Sequence, residues 1–118
     1  MKRVAIPIFR NRVSPVFDSC ERLLIIDIDQ NSEKDRKEIY LDDMPLSQRL
    51  AILKQLYVTV VICSGISETL HKMLSCCDIR PICGIAGDVE DVVCAFCCNR
   101  LDQPKYFMPG HQGAPLKH

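Results

Sequence analysis

Residues 58–97 read VTVVICSGISETLHKMLSCCDIRPICGIAGDVEDVVCAFC, and the same local event occurs in them twice. The β-branched run over 59–63 has strand character. Ser64-Gly65 turns it into a helix predicted over 66–76. A second short strand is predicted over 79–83, followed by a turn over 83–87. Asp88 then caps a helix running to about 99. Two strand-to-helix units in succession imply parallel strands joined by right-handed crossovers, which puts the chain in the α/β class.

Working outward, residues 2–8 carry the apolar run Val4-Ala5-Ile6, a short buried strand. A polar loop is predicted over 9–20, a second strand over 23–29 and a polar turn over 30–35. The third strand, over 37–41, sets Ile39 and Leu41 on one side and Glu38 and Tyr40 on the other. Such short links suit an antiparallel meander. Leu46, Leu50, Leu53, Leu56 and Tyr57 then recur at helical spacing, predicting a helix over 46–57. The order is β-β-β-α-β-α-β-α. It is satisfied most economically by a single domain with a five-stranded mixed sheet flanked by helices, the strands through Val4, Val60 and Ile82 being parallel neighbours. The domain is expected to span 1–103. Pro104, Pro109, Gly110, Gly113 and Pro115 predict a flexible tail over 104–118.

The 118 residues suit one compact domain with a core of its own. Fifteen Lys plus Arg balance fifteen Asp plus Glu. A partner recognised through bulk charge, such as a nucleic acid or an anionic membrane, is not expected. No apolar run reaches membrane-spanning length. After Met1-Lys2-Arg3 the apolar stretch is interrupted at Pro7 and stops at Arg10, too short for a signal core. The expected location is cytoplasmic, where the eight cysteines stay reduced. Clustered cysteines there bind metal, do redox chemistry or pack as small apolar groups.

The stretch VAIPIFRNRVSPVFDSCERLLIIDID, over 4–29, resembles the opening of the dinitrogenase iron–molybdenum cofactor-binding family, the NifX-type accessory proteins. VVICSGISETLHKML and DIRPICGIAGDVEDVVCAF are similar to that family's two glycine-bearing turns. The resemblance runs in order over about 2–101. It implies a ribonuclease H-like fold. It also implies a small non-enzymatic carrier or scaffold that binds an iron–molybdenum or other metal–sulfur cofactor, or its precursor, during cofactor biosynthesis. The partner implied is a client or cofactor-assembly protein. Many members carry a His-Phe-Gly motif in the first loop. In this chain Val16 stands where that His would be and Asp18 where the Gly would be, so the family's His contact is not carried over.

In parallel sheets ligands sit beyond the carboxyl ends of the strands. Those ends hold the loop closing at Cys20, the turn Cys63-Ser64-Gly65 and the turn opening with Cys83-Gly84. Cys20, Cys63 and Cys83 are therefore the candidate thiolates for a soft metal or an iron–sulfur type cluster. Ser64, Gly65 and Gly84 are the candidate backbone cradle for an anionic group. Cys94 and Cys98, on the outward face of the last helix, form a weaker candidate pair, and Cys94-Ala95-Phe96-Cys97 lies too far along its helix for a redox motif. Cys77 continues a core face, whereas Cys76 points elsewhere. The competing readings of the crevice are a small-anion site without metal and a thiol redox module.

Other chemistries find little support. His71 reads as a solvated helix residue, and His111 and His118 fall in the tail. No nucleophile elbow, phosphate-binding loop or dinucleotide fingerprint is present. Asp27 and Asp29 lack a third acidic partner for a two-metal nuclease. The chain is expected not to be an enzyme.

Overall fold

The computed structural model describes residues 2–41 and 43–98. The elements are β1 (Lys2–Phe9), β2 (Arg12–Val13), β3 (Arg22–Asp29), β4 (Ser32–Tyr40), α1 (Leu46–Gln55), β5 (Val60–Ile62), α2 (Glu68–Cys76), β6 (Arg80–Ile82) and α3 (Val89–Cys97). They build one α/β domain on a mixed sheet with the order β4-β3-β1-β5-β6, and β2 lies beside β1. Val4 pairs in parallel with Val60, and Ile62 with Ile82, as the crossover argument requires. β3 and β4 complete the antiparallel meander.

The sheet has six strands where the sequence predicts five. The extra one arises inside the loop expected over 9–20. Arg10 and Asn11 both adopt positive φ, 52° and 66°, and fold Arg12–Val13 back onto Ile8 and Phe9. Gln30 and Asn31 repeat this at 53° and 63°. The turn expected over 30–35 is thus two residues long, and β4 begins at Ser32. Positive φ at both positions is the type I′ form of a two-residue hairpin turn, whose twist matches the flanking strands. An asparagine in second place is their only local cue, since neither contains glycine. β4 also escapes a pattern reading because its sequence, SEKDRKEIY, is mostly exposed. Charge of this kind on an edge strand discourages pairing with other chains.

Alternate side chains of the central strands serve opposite faces. Val4, Ile6, Leu24, Ile26, Val60 and Ile62 pack against Val89, Val92 and Val93 of α3. Ala5, Leu23, Ile25, Val61 and Cys63 pack against Phe17 and against α1 and α2 through Leu53, Leu70 and Leu74. The two faces carry different chemistry, because Cys20, Cys63 and Cys83 all belong to the α1–α2 side.

Helix limits differ from the pattern for local reasons. α1 stops at Gln55, and Leu56 caps it. Tyr57, expected on the buried face, has a positive φ of 57° and is 80% exposed. α2 starts two positions later than predicted, because Ser67 is its cap and accepts the Leu70 N–H at 3.1 Å. Asp88 caps α3 as read, accepting the Glu90 N–H at 2.9 Å. The tail expected over 104–118, with His111 and His118, lies outside the described residues. No helix among the described residues is long and apolar enough to cross a membrane.

Candidate functional site

The site begins with strand register. β5 and β6 pair Val60 with Arg80, Val61 with Pro81 and Ile62 with Ile82. Pro81 is tolerated because β6 is the last strand of the sheet. One residue further, Cys63 and Cys83 stand side by side with their sulfurs 3.8 Å apart. The parallel ladder continues past them. The Cys63 N–H donates to Ile82 O at 2.9 Å, the Ile85 N–H to Cys63 O at 3.0 Å and the Gly84 N–H to Ser64 O at 2.8 Å. Gly84 has a φ of +79°, and its missing side chain lets the chain turn away here.

The two thiols are not equivalent. Cys63 is fully buried and Cys83 half-buried. A hydrogen bond from the Cys63 thiol stabilises the Cys83 thiolate and lowers its pKa, against the opposing effect of burial. Cys63 is pushed the other way, first by that bond, then by burial, and then by the nearby charges of Cys83, Asp18 and Cys20. In the singly ionised pair the charge is favoured on Cys83, the less buried sulfur and the one that accepts the hydrogen bond.

The first loop is strapped onto the β5–α2 turn. Gly65 donates its N–H to Pro15 O at 2.8 Å and accepts the Phe17 N–H at 2.8 Å. A Cβ at Gly65 would lie 2.8 Å from Pro15 O, so the close approach requires glycine. Asp18 Oδ1 accepts the Ser67 N–H at 2.8 Å, and the Phe17 ring is completely buried. Val16 is left 43% exposed beside Gly65, with its Cγ2 at 3.9 Å from the position of that absent Cβ.

Cys20 is not brought to the surface of this site. It is 3% exposed, and its sulfur accepts a hydrogen bond from Arg49 Nη1 at 3.4 Å. Burial raises its pKa, partly opposed by the Arg49 charge. Arg49 was missed at the level of sequence. Its guanidinium is buried and donates to Met44 O at 2.8 Å, Cys20 O at 2.7 Å and Leu41 O at 3.3 Å. It thereby ties together the end of the first loop and the segment entering α1. The available signal was a cationic residue four positions before the fully buried Leu53, on the apolar stripe of α1.

Over the cysteine pair lies an open hollow of about 420 Å³, bounded by Ser64, Gly65, Ile66, Glu68, His71, Cys83 and Gly84. Cys83 lines it, and Cys63 backs Cys83 from beneath. The backbone cradle expected at this place offers fewer donors than anticipated, because the Gly65 and Gly84 N–H groups are already given to Pro15 O and Ser64 O. The Ser64 hydroxyl is likewise turned inward, onto Ile85 O. By sequence His71 is a solvated helix residue. It is exposed, and it forms part of the wall. Among the described residues no three His, Cys, Asp or Glu side chains converge as the shell of a single metal ion needs.

The α3 cysteines belong elsewhere. Cys94 and Cys98 are exposed and Cys97 is half-buried. α3 packs on the opposite face of the sheet from Cys63 and Cys83. Burial, then the charges of Cys98, Glu33 and Cys94, raise the Cys97 pKa. Cys76 is exposed, whereas Cys77 packs partly against the α1–α2 core. Asp27 is occupied by Arg3, which donates to both carboxylate oxygens at 2.6 and 3.2 Å and holds that carboxyl below its usual range.

With this geometry in hand, known proteins are informative. Over 73 residues the chain is 36% identical to an uncharacterised protein, MJ0327, of Methanocaldococcus jannaschii, which covers 62% of this chain and 66% of that protein, just under two thirds of its length. The crystal structure of that protein, provisionally named a dinitrogenase, superposes with a TM-score of 0.70 at 31% identity, covering 83% of this chain and 89% of the other. The crystal structure of PH0822 shares the fold with a TM-score of 0.80 at 19% identity, covering 95% and 97%. A Thermotoga protein, TM1290, provisionally named a NifB protein, shares it with a TM-score of 0.69 at 20% identity, covering 94% and 100%. The family model for the dinitrogenase iron–molybdenum cofactor matches residues 1–99, which takes in every described residue, and the chain belongs to that family.

Proposed function

We propose that this protein is a small carrier or scaffold that holds an iron–molybdenum or other metal–sulfur cofactor, or a precursor of one, in the hollow at the carboxyl ends of β5 and β6. One observation carries the reading: the Cys83 thiol lines an open hollow of about 420 Å³, with the buried Cys63 sulfur 3.8 Å from it. Thiolates are the preferred ligands of iron–sulfur clusters and other soft metal species. The donor set fits such a cargo. Cys83 makes the contact, and the hydrogen bond from the Cys63 thiol favours its thiolate. Ser64, Gly65 and Gly84 supply a close, shaped wall. The room in an open hollow of about 420 Å³ suits a cluster better than a lone ion. Strand ends fixed by the sheet need little ordering on binding. The task requires binding and release to a client or assembly protein, and no turnover. Cys20 serves this site from behind, by anchoring the loop with Arg49.

The 3.8 Å separation also favours a second reading, a thiol redox module working through the same pair. A single experiment separates the two. The protein is purified anaerobically, reconstituted with ferrous iron, sulfide and molybdate, and analysed for bound metal and sulfide alongside its visible spectrum. Wild type is expected to bind. Cys63→Ala/Cys83→Ala is expected to lose the metal, and Cys94→Ala/Cys98→Ala to keep most of it. Equal binding by wild type and Cys63→Ala/Cys83→Ala rejects the site. Absence of binding by wild type rejects the carrier function and leaves the redox module.

A further inference from the structure

His71 and Cys83 bound the same hollow from different elements. Cys83 follows β6, and His71 lies on α2, its backbone N–H bonded to Ser67 O at 2.9 Å one turn into the helix. An exposed histidine on a helix is by default a solvated residue. Here the place of α2 is set by the site itself. Asp18 holds the Ser67 N–H, and the Gly65 ladder holds the segment before it. The imidazole is therefore carried by a helix whose start is pinned to the same loop that shapes the hollow. Glu68 also lines the wall, but its carboxylate is paired with Lys72 at 3.2 Å.

We infer that His71 is a direct nitrogen ligand of the cargo, so that a metal–sulfur cluster is gripped by the Cys83 thiolate from the strand end and by the His71 imidazole from the helix flank. This rests on the carrier reading of the hollow. The two donors are of different kinds, soft sulfur and intermediate nitrogen, and both bind iron. They come from different elements, the end of β6 and α2, onto one open space of about 420 Å³, which has room for a ligand with several metal atoms. Attachment at two points also explains how an open site retains its cargo, since either bond alone is free to exchange with solvent.

The test uses protein reconstituted anaerobically with ferrous iron, sulfide and molybdate and then reduced with dithionite. Pulsed electron paramagnetic resonance on histidine-labelled (nitrogen-15) protein is expected to show coupling to an imidazole nitrogen in wild type. The coupling should disappear in His71→Gln and persist in His111→Gln/His118→Gln. Loss of metal to a chelator should be on the order of tenfold faster in His71→Gln, with an unchanged thermal unfolding midpoint. Retained coupling and an unchanged chelator rate in His71→Gln overturn the assignment while leaving the carrier function intact. Loss of coupling only in His111→Gln/His118→Gln moves the ligand to the tail and overturns it as well. A wild type that binds no metal, or a Cys83→Ala variant that binds it fully, overturns the carrier reading and this inference together.

Discussion

Gly65 has no side chain where the carbonyl oxygen of Pro15 needs the room: a Cβ at that position would lie 2.8 Å from it. The contact joins the first loop to the turn after β5 and so sets the rim of the hollow. Gly65→Ala forces the loop off the turn and strains both Gly65 hydrogen bonds. Overpacking of this kind costs about 1–3 kcal/mol. The expected result is a lower urea midpoint with an unchanged slope, together with weaker retention of reconstituted metal. A midpoint equal to that of wild type would show that the loop docking contributes nothing.

The cysteine pair should titrate unevenly. Cys83 is the lowered thiol and Cys63 the raised one. Alkylation by iodoacetamide over a pH series, read by peptide mass spectrometry, should modify Cys83 at lower pH than an ordinary cysteine. Cys63 should resist until the protein is unfolded. Cys63→Ala removes the hydrogen-bond donor, so Cys83 should then need a higher pH to react. Faster alkylation of Cys63 than of Cys83 in the folded protein is the contrary result.

The same shifts affect stability with opposite signs. Cys20 and Cys63 have raised folded values, so their contribution is complete below the ordinary thiol pKa of 9.0 and declines as pH rises above it. The lowered Cys83 contributes above its ordinary value and loses that contribution as pH falls through its folded value. With Cys20, Cys63 and the less buried Cys97 raised against Cys83 lowered, urea midpoints should fall above about pH 9. Cys20→Ala/Cys63→Ala should flatten that fall. An equally steep alkaline decline in the double variant would assign it to other groups.

Arg49→Met removes a buried guanidinium that satisfies the carbonyls of Cys20, Leu41 and Met44. Leu41 O keeps the Met44 N–H, whereas the Cys20 and Met44 carbonyls lose the Arg49 donor. Orphaned buried carbonyls cost about 1–3 kcal/mol each, for a net loss of roughly 3 kcal/mol. That corresponds to a fall in Tm of about 10 °C or more, read by calorimetry. Arg49→Lys should restore little, because an ammonium cannot span three acceptors in one plane. Full rescue by lysine would show that charge alone matters.

Cys94→Ser/Cys98→Ser changes two exposed positions on the far face of the sheet. Stability should stay within about 0.5 kcal/mol of wild type. Reconstituted metal should be nearly unchanged. A loss of half the metal or more would place part of the cargo on α3.

Much of this protein was written locally in its chain. The β-branched run at Val60–Ile62, the turns at Gly65 and Gly84 and the cap at Asp88 act within a few residues, so they reveal the two crossover units without knowledge of the rest. From these units follow the parallel neighbourhood of β1, β5 and β6 and the adjacency of Cys63 and Cys83. The hairpins at Arg10-Asn11 and Gln30-Asn31 were harder to read because non-glycine residues take up the positive φ. Tertiary packing alone decided the depth of each thiol, since burial depends on what covers a residue from distant parts of the chain. The Phe17 loop and Arg49 sink Cys20, the core on the α1–α2 face covers Cys63, and of the three only Cys83 lines the hollow. The same holds for His71, whose helical position shows that it faces outward but not that the space outside it is shared with Cys83. Sequence periodicity specifies a residue's direction on its own element, and the neighbour it meets there is fixed only when the elements pack.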